Sequence, residues 1–370
     1  MKRRVRTIAL IVAVLALAGF LVSASGIISI KASSRHWPVT RWVLEFSMRR
    51  SVATHSLGIQ TPEDLDRPEL VRKGAGPYAI SCAPCHGSPD APNPRVAAHM
   101  TPHPPHLALT VETWKPKELF TIVKHGVKFT GMPAWPAQER DDEIWALVAF
   151  LRALPRLDAA TYEQLAYGTS RDEAAGGTAP EEDLISSQST PPPAAASCAR
   201  CHADDGNGRG QAQFPRLAGQ RRDYLLASLD AYARGQRHSG IMEPVAYGLD
   251  AETKQQLAEF YAKRPPAPPA GRNADPAAVA RGEQLAHEGD RPHRIPSCVD
   301  CHGPEAQQPR REAYPIIAGQ PADYLKLQLE LFQKEQRGGS ENAHLMHHVS
   351  RRLTSQQLDD LAAYFSSLSP

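Results

Sequence analysis

Large aromatic rings are scarce in this chain of 370 residues: Phe, Trp and Tyr make up 6% of it. Cores built on clustered aromatics are thereby disfavoured, and each domain needs some other large apolar body to pack around. Charge of one sign is also missing. Lys and Arg number 42 against 40 Asp and Glu, a formal net charge of +2, which argues against a nucleic-acid binder held by a basic field. No Ser/His/Asp arrangement, phosphate-cradling Gly-rich loop or dinucleotide fingerprint stands out. The one near match, Asp204-Asp-Gly-Asn-Gly-Arg-Gly210, lacks the glutamate that closes a calcium loop and reads as a Gly/Asn turn. Methionine is limited to six, and cysteine to six, none of them outside three close pairs. What is plentiful is proline, 33 residues, so helices must stop often. The length leaves room for two or three domains.

The cysteines carry the chemistry. They form one pattern used three times: Cys82-Ala-Pro-Cys85-His86, Cys198-Ala-Arg-Cys201-His202 and Cys298-Val-Asp-Cys301-His302. C-x-x-C-H is the attachment pattern of a c-type haem. Two thiols one helical turn apart each add to a vinyl group of one porphyrin, and the adjacent imidazole is held under the iron as its proximal ligand. A zinc site needs four ligands, and no cysteine is left over to complete one. Three disulfides, each followed at once by His, would be a considerable coincidence. Three c-type haems are therefore expected, bound by Cys82, Cys85, Cys198, Cys201, Cys298 and Cys301, with His86, His202 and His302 on the irons.

A second repeat supports this reading. Phe214-Pro-Arg-Leu-Ala-Gly-Gln-Arg-Arg-Asp-Tyr-Leu225 aligns with Tyr314-Pro-Ile-Ile-Ala-Gly-Gln-Pro-Ala-Asp-Tyr-Leu325, without a gap, from Cys198/Cys298 through Arg237/Arg337. Repetition on this scale means duplicated domains rather than solenoid units. One Met then follows each motif: Met132, Met242 and Met346 come 46, 40 and 44 residues after His86, His202 and His302. Met can fill core gaps, but one per repeat at a similar place points to thioether ligation, which closes the iron and raises its potential. Met100 stands too close behind His86 to share that spacing. His125, His238, His344, His347 and His348 lie near the Met positions, and His347 and His348 compete with Met346.

The N-terminus opens Met1-Lys-Arg-Arg-Val-Arg and then runs apolar from Thr7 to Ile30. A basic region followed by an apolar run is an export signal, and about 20 residues suffice to cross a bilayer. An uncleaved anchor over residues 1–35, with the rest of the chain in the periplasm, is the preferred reading. A cleaved signal ending near Val22-Ser23-Ala24 is the other. Residues 36–66 follow as a juxtamembrane segment. Trp42, Val43 and Phe46 lie at helical spacing and suit an amphipathic helix on the membrane surface, although Trp42, Leu44, Phe46 and Met48 alternate with polar residues as a strand would. A segment docking on a partner subunit is the other reading. Between Tyr162 and Pro193 stand six acids and one Arg, ending in Pro191-Pro-Pro193, a flexible tether by composition. The expected order is thus domain 1 at 67–160, a linker at 161–193, domain 2 at 194–264, a Pro-rich linker at 265–275 and domain 3 at 276–370. Domain 1 is expected to be separable, and domains 2 and 3 to form a pair.

The chain resembles the class I c-type cytochromes. Residues 194–370 are similar to a cytochrome c4-type pair, on the two C-x-x-C-H motifs, Pro215-Arg-Leu-Ala-Gly-Gln220 and Pro315-Ile-Ile-Ala-Gly-Gln320, and the helices ending at Arg237 and Arg337. Residues 67–160 resemble a single class I domain, on Cys82–His86 and Gly131-Met132-Pro-Ala-Trp135. The stretch Ala32-Ser-Ser-Arg-His-Trp-Pro-Val-Thr-Arg-Trp42 is similar to segments of membrane-bound cytochromes that accompany haem-copper oxidases. The resemblance implies an all-α fold of three small cytochrome c domains in tandem behind a transmembrane helix. It implies low-spin His/Met haems, with the carbonyls of Pro215 and Pro315 holding the proximal imidazoles. It also implies an electron carrier rather than an enzyme, anchored in the inner membrane and engaging no nucleic acid. Its donor would be a quinol-oxidising complex or a periplasmic dehydrogenase, and its acceptor a terminal oxidase. A cytochrome subunit of a dehydrogenase is the alternative, and a haem enzyme such as a peroxidase a more distant one, since that needs an open iron. One departure stands out: domain 2 has no room before Cys198 for the usual N-terminal helix, whereas domain 3 has one from Pro276, with Gly282 placed for close helix packing. Domain 2 is therefore expected to pack on a neighbour.

Overall fold

The computed structural model describes residues 2–34, 36–168, 192–208, 214–269, 274–340 and 342–370. The fold is all-α. Helix α1, Lys2–Ala24, carries the apolar run; over Arg3–Ala24 its mean hydropathy is 2.6 and none of it is buried. It is long and apolar enough to cross a membrane. Helix α2, Pro38–His55, starts with Pro at its first position, where the missing N–H costs nothing. The ambiguous period therefore resolves as helical, and Trp42 and Phe46, one turn apart, stack at 5.6 Å. The second half of α2 docks on the first unit, burying Val52 and laying Arg49 over Trp114 at 4.6 Å. The first half leaves Trp37, Trp42 and Phe46 exposed.

Unit 1 is built on α3 (Pro68–Pro77), α4 (Pro116–His125), α5 (Asp141–Ala153) and α6 (Ala159–Tyr167). Helix α3 runs on through a π-turn, Tyr78–Cys82, into the single turn Ala83–His86. Pro77 has no N–H for the α ladder, and the ladder widens there, with the Ala83 N–H donating to the Tyr78 carbonyl. Helix α5 opens on Asp141, Asp142 and Glu143, acids that complement the positive end of a helix, and then buries Ile144 through Leu151 apart from Trp145. It crosses α3 at Gly74, where a Cβ would lie 2.2 Å from the Ala146 carbonyl oxygen, so only glycine fits. Tyr78 fills the centre against Phe150 and Tyr162. The boundary expected at 160 is corrected here. Asp158 caps α6, whose Tyr162 and Ala166 are buried in the core of unit 1, so the unit extends to Tyr167. The rest of the acidic tether, residues 169–191, lies outside the described residues.

Unit 2 comprises α7 (Ala195–His202), α8 (Arg222–Ala233), α9 (Met242–Tyr247) and α10 (Ala251–Ala262). Unit 3 comprises α11 (Pro276–Glu288), α12 (Ala322–Gln333), α13 (Ala343–Ser350) and α14 (Ser355–Ser367). In unit 3, α11 crosses α14 at Gly282, where a Cβ would meet the Asp360 carbonyl oxygen at 2.1 Å. Among the described residues unit 2 has no such first helix. Its Cys201 instead lies against unit 1, with Sγ 3.2 Å from where a Cβ of Gly76 would stand.

Units 2 and 3 are joined by reciprocal contacts. The Gln220 amide accepts from the Ile316 N–H at 2.9 Å and donates to the Ile316 carbonyl at 2.9 Å. Gln320 does the same to Arg216, at 3.0 Å and 3.0 Å. Arg237 donates to the Tyr324 hydroxyl and Arg337 to the Tyr224 hydroxyl. The Pro-rich linker is pinned along unit 2, since Ala267 donates to Asn207 and accepts from Arg216. The expectation that unit 1 stands apart does not hold: its Arg140 donates to the His238 carbonyl at 2.6 Å, and its Glu143 accepts from Ser239 and Gly240.

Candidate haem sites

Each C-x-x-C-H motif ends a helical turn, so both sulfurs and the imidazole leave one face of the backbone. The three imidazoles share one arrangement. Nδ1–H of His86 donates to the Pro105 carbonyl at 2.8 Å, that of His202 to Pro215 at 2.9 Å and that of His302 to Pro315 at 3.3 Å. A carbonyl can only accept, so the proton sits on Nδ1 and the Nε2 lone pair is left for a metal. Burial lowers all three imidazoles from their ordinary range, more than these carbonyl bonds raise them, which keeps the neutral form that a metal binds. Burial also pushes the Cys82 and Cys298 thiols up to about 12 and raises Cys198. These sulfurs sit where an uncharged thioether is favoured over a thiolate.

The second and third sites open into one continuous cavity of about 580 Å³, and Cys198, Cys201, His202 and Met242 line it together with Cys298, Cys301, His302 and Met346. The His and Met residues expected as iron ligands in units 2 and 3 thus all line this one cavity. His347 is engaged elsewhere, its Nε2 bonded to the Arg337 carbonyl at 2.7 Å. Neither it nor His344 or His348 lines the cavity. His238 reaches the rim but faces Glu139 at 3.1 Å and Glu243 at 3.5 Å, and His125 is exposed. In unit 1, Met132 is half-buried, and its N–H donates to the Thr130 hydroxyl at 3.1 Å. Met100 lies against Gly131, at the position a Cβ there would take. A second thioether therefore stands beside Met132, which its short spacing from His86 concealed.

The donor chemistry fits haem. Arg237 and Arg337 are buried in the cavity wall, and among the described residues they hydrogen-bond only to hydroxyl and amide oxygens, with no carboxylate in ion-pair range. Buried cations need counter-charges, and the propionates of haem are carboxylates of that kind. Sequence reading missed Pro105, because its separation from His86 is 19 residues rather than the 13 shared by the other two. It also missed Glu143. That carboxylate, 3% exposed, accepts from three donors, Ser239 Oγ at 2.6 Å, Gly240 N at 2.7 Å and Trp135 Nε1 at 3.0 Å, and forms an ion pair with Arg140 at 3.1 Å. Burial pushes its carboxyl up, opposed by Arg140; three hydrogen bonds and the ion pair with Arg140 favour the ionised form.

Comparison with known proteins agrees with this chemistry. Residues 69–151 match the family model described as "Cytochrome C oxidase, cbb3-type, subunit III", and residues 279–369 match "Cytochrome c". A thiosulfate dehydrogenase electron acceptor of Thiomonas intermedia is 37% identical, over 47% of this chain and 81% of that protein. Its counterpart in Stutzerimonas stutzeri is 35% identical, over 46% and 79%. The cytochrome c4 of Thiocapsa roseopersicina is 32% identical, over 46% and 87%. Motif, fold and relatives converge: the chain belongs to the class I c-type cytochromes, electron-transfer proteins that hold haem covalently.

Proposed function

We propose that this chain is a membrane-anchored relay of three covalent haems that takes electrons from a periplasmic dehydrogenase and delivers them to a terminal oxidase. Cys82 and Cys85, Cys198 and Cys201, and Cys298 and Cys301 would hold the porphyrins. His86 with Met132, His202 with Met242 and His302 with Met346 would hold the irons. When bound, haem supplies a one-electron couple. The protein supplies a fixed imidazole orientation through Pro105, Pro215 and Pro315, a thioether that keeps substrate off the iron, and buried arginines for the propionates. With each iron closed, the chain carries electrons and does not itself turn over a substrate.

The observation that carries the reading is the single cavity lined by the His, Cys and Met of both unit 2 and unit 3. Two such sites opening into one cavity suit electron exchange. The relatives named as thiosulfate dehydrogenase electron acceptors support a dehydrogenase as donor to this pair. The oxidase-subunit match of unit 1 supports an oxidase as acceptor, and the apolar helix α1 would keep unit 1 near it. The test uses the purified holoprotein with a thiosulfate dehydrogenase and thiosulfate, followed by oxidase-containing membranes. Three haems per chain, reduced by the first partner and reoxidised by the second, are expected. Fewer than three haems, peroxide turnover by the protein alone, or no exchange with either partner would overturn the reading.

A further inference from the structure

The junction between units 1 and 2 is centred on Glu143, and its contacts lead to both methionine loops. Two of its four partners come from unit 1: the Arg140 guanidinium, as an ion pair, and the indole N–H of Trp135, three residues beyond Met132. The other two come from unit 2: the Ser239 hydroxyl and the Gly240 N–H, just before Met242. Ser239 Oγ, having given its proton to Glu143, accepts from the Met242 N–H at 3.1 Å and the Ile241 N–H at 3.3 Å. The chain of bonds therefore runs from a unit 1 carboxylate to the backbone of a unit 2 methionine. Gly240 packs face to face with Trp135, whose indole occupies the place a Cβ would take. No side chain could stand at 240 without parting the two loops. Arg140 closes the junction through the His238 carbonyl, and is itself held by Asp142 at 2.8 Å and 3.0 Å.

We infer that Glu143 is a positioning residue for the second haem: from unit 1 it fixes the loop that presents Met242 to the iron of unit 2. This rests on the reading of Met242 as an axial ligand. In unit 3 the methionine lies a turn inside α13 rather than at the start of its helix, and among the described residues no carboxylate of another unit bonds to the segment before it. A buried carboxylate with three hydrogen-bond donors and an ion-pair partner is costly to disturb from one side only: removing it leaves an amide, a hydroxyl and an indole without their acceptor, while Arg140 keeps Asp142 and the His238 carbonyl. The loop would then relax, and Met242 with it.

The experiment compares the full-length holoprotein with Glu143→Ala, Glu143→Gln, Met242→Ala and Met346→Ala. The thioether–iron absorption band and the midpoint potential of each haem are read. Glu143→Ala should weaken the band by up to the share of one haem and lower one potential, matching the haem altered in Met242→Ala and not the one altered in Met346→Ala. Glu143→Gln keeps one acceptor oxygen and should fall between. Should Glu143→Ala fail to fold, the same displacement in Glu143→Gln, smaller and confined to one haem, supports the inference. Unchanged bands and potentials in the folded variants would overturn it, as would an equal loss at all three haems. If Met242→Ala itself leaves every band intact, the ligand reading beneath the inference falls as well, which separates the two failures.

Discussion

Units 2 and 3 share one sequence pattern and are completed in different ways. Unit 3 supplies its own first helix: α11 crosses α14 at Gly282, and Leu285, Ala286, Leu361 and Phe365 join one core. Among the described residues unit 2 shows no such helix, and its buried core cluster comprises Ala195, Leu225, Leu257, Ala258, Phe260 and Tyr261. What unit 3 obtains from its own chain, unit 2 obtains from a neighbour. Gly76 lies against Cys201, Lys73 and Ile80 of unit 1 line the shared cavity, and Glu143 holds the Met242 loop. Within the described residues, the neighbouring unit thus covers part of what α11 covers in unit 3.

This contrast can be broken from either side. The largest effect is expected from Gly282→Val. The side chain would collide with the Asp360 backbone, which cannot yield, at a cost of about 3 kcal/mol. Unfolding followed at the haem bands should show unit 3 failing first, with the unit 1–2 junction intact; loss of unit 2 first would contradict the comparison. Next come Gln220→Ala and Gln320→Ala. Each strips two hydrogen bonds from a buried backbone, so each should cost about 2 kcal/mol, and the two costs should match. Denaturant titration checks this, and a silent member of the pair would break the two-fold relation.

A smaller effect is expected with pH. Burial would raise the Asp142 carboxyl, but Lys73 at 3.0 Å and Arg140 more than offset this and hold it well below the usual range. A depressed carboxylate contributes stability that is present above its unfolded value, 3.8, and is lost as pH falls towards the folded value. The melting temperature should therefore fall below about pH 4 in the natural protein, and less steeply in Asp142→Asn. Equal slopes would remove Asp142 from the junction. The smallest effect is at Met100. Met132→Ala should abolish thioether ligation at the first haem, whereas Met100→Ala should leave the band in place; the reverse outcome would exchange the two residues' roles.

Much of this was legible in the chain. The C-x-x-C-H spacing is local chemistry, readable without a fold, and Gly282 was recognisable from its place in the first helix of unit 3. The repeat at Gln220 and Gln320 was visible as likeness, but not its reason. Alignment places the two glutamines in register, whereas their function is to reach across to each other's unit. Glu143 was hidden more deeply. On its own helix it is one of three acids in the first turn, where any acid is favoured by the helix end. Its donors Ser239 and Gly240 are 96 and 97 residues away, beyond any local pattern. The expected independence of unit 1 failed for the same reason: an acidic, Pro-rich stretch tells how a connection is made, and nothing about whether the surfaces it joins fit.

Amide hydrogen exchange on the full-length holoprotein tests the docking of unit 1 on unit 2 most directly. The Gly240 and Met242 N–H groups should be strongly protected in the natural protein and exchange faster in Glu143→Ala, while amides in α11 and α14 of unit 3 stay as they were. Exchange of Gly240 and Met242 at the rate of an open loop in the natural protein would contradict the account.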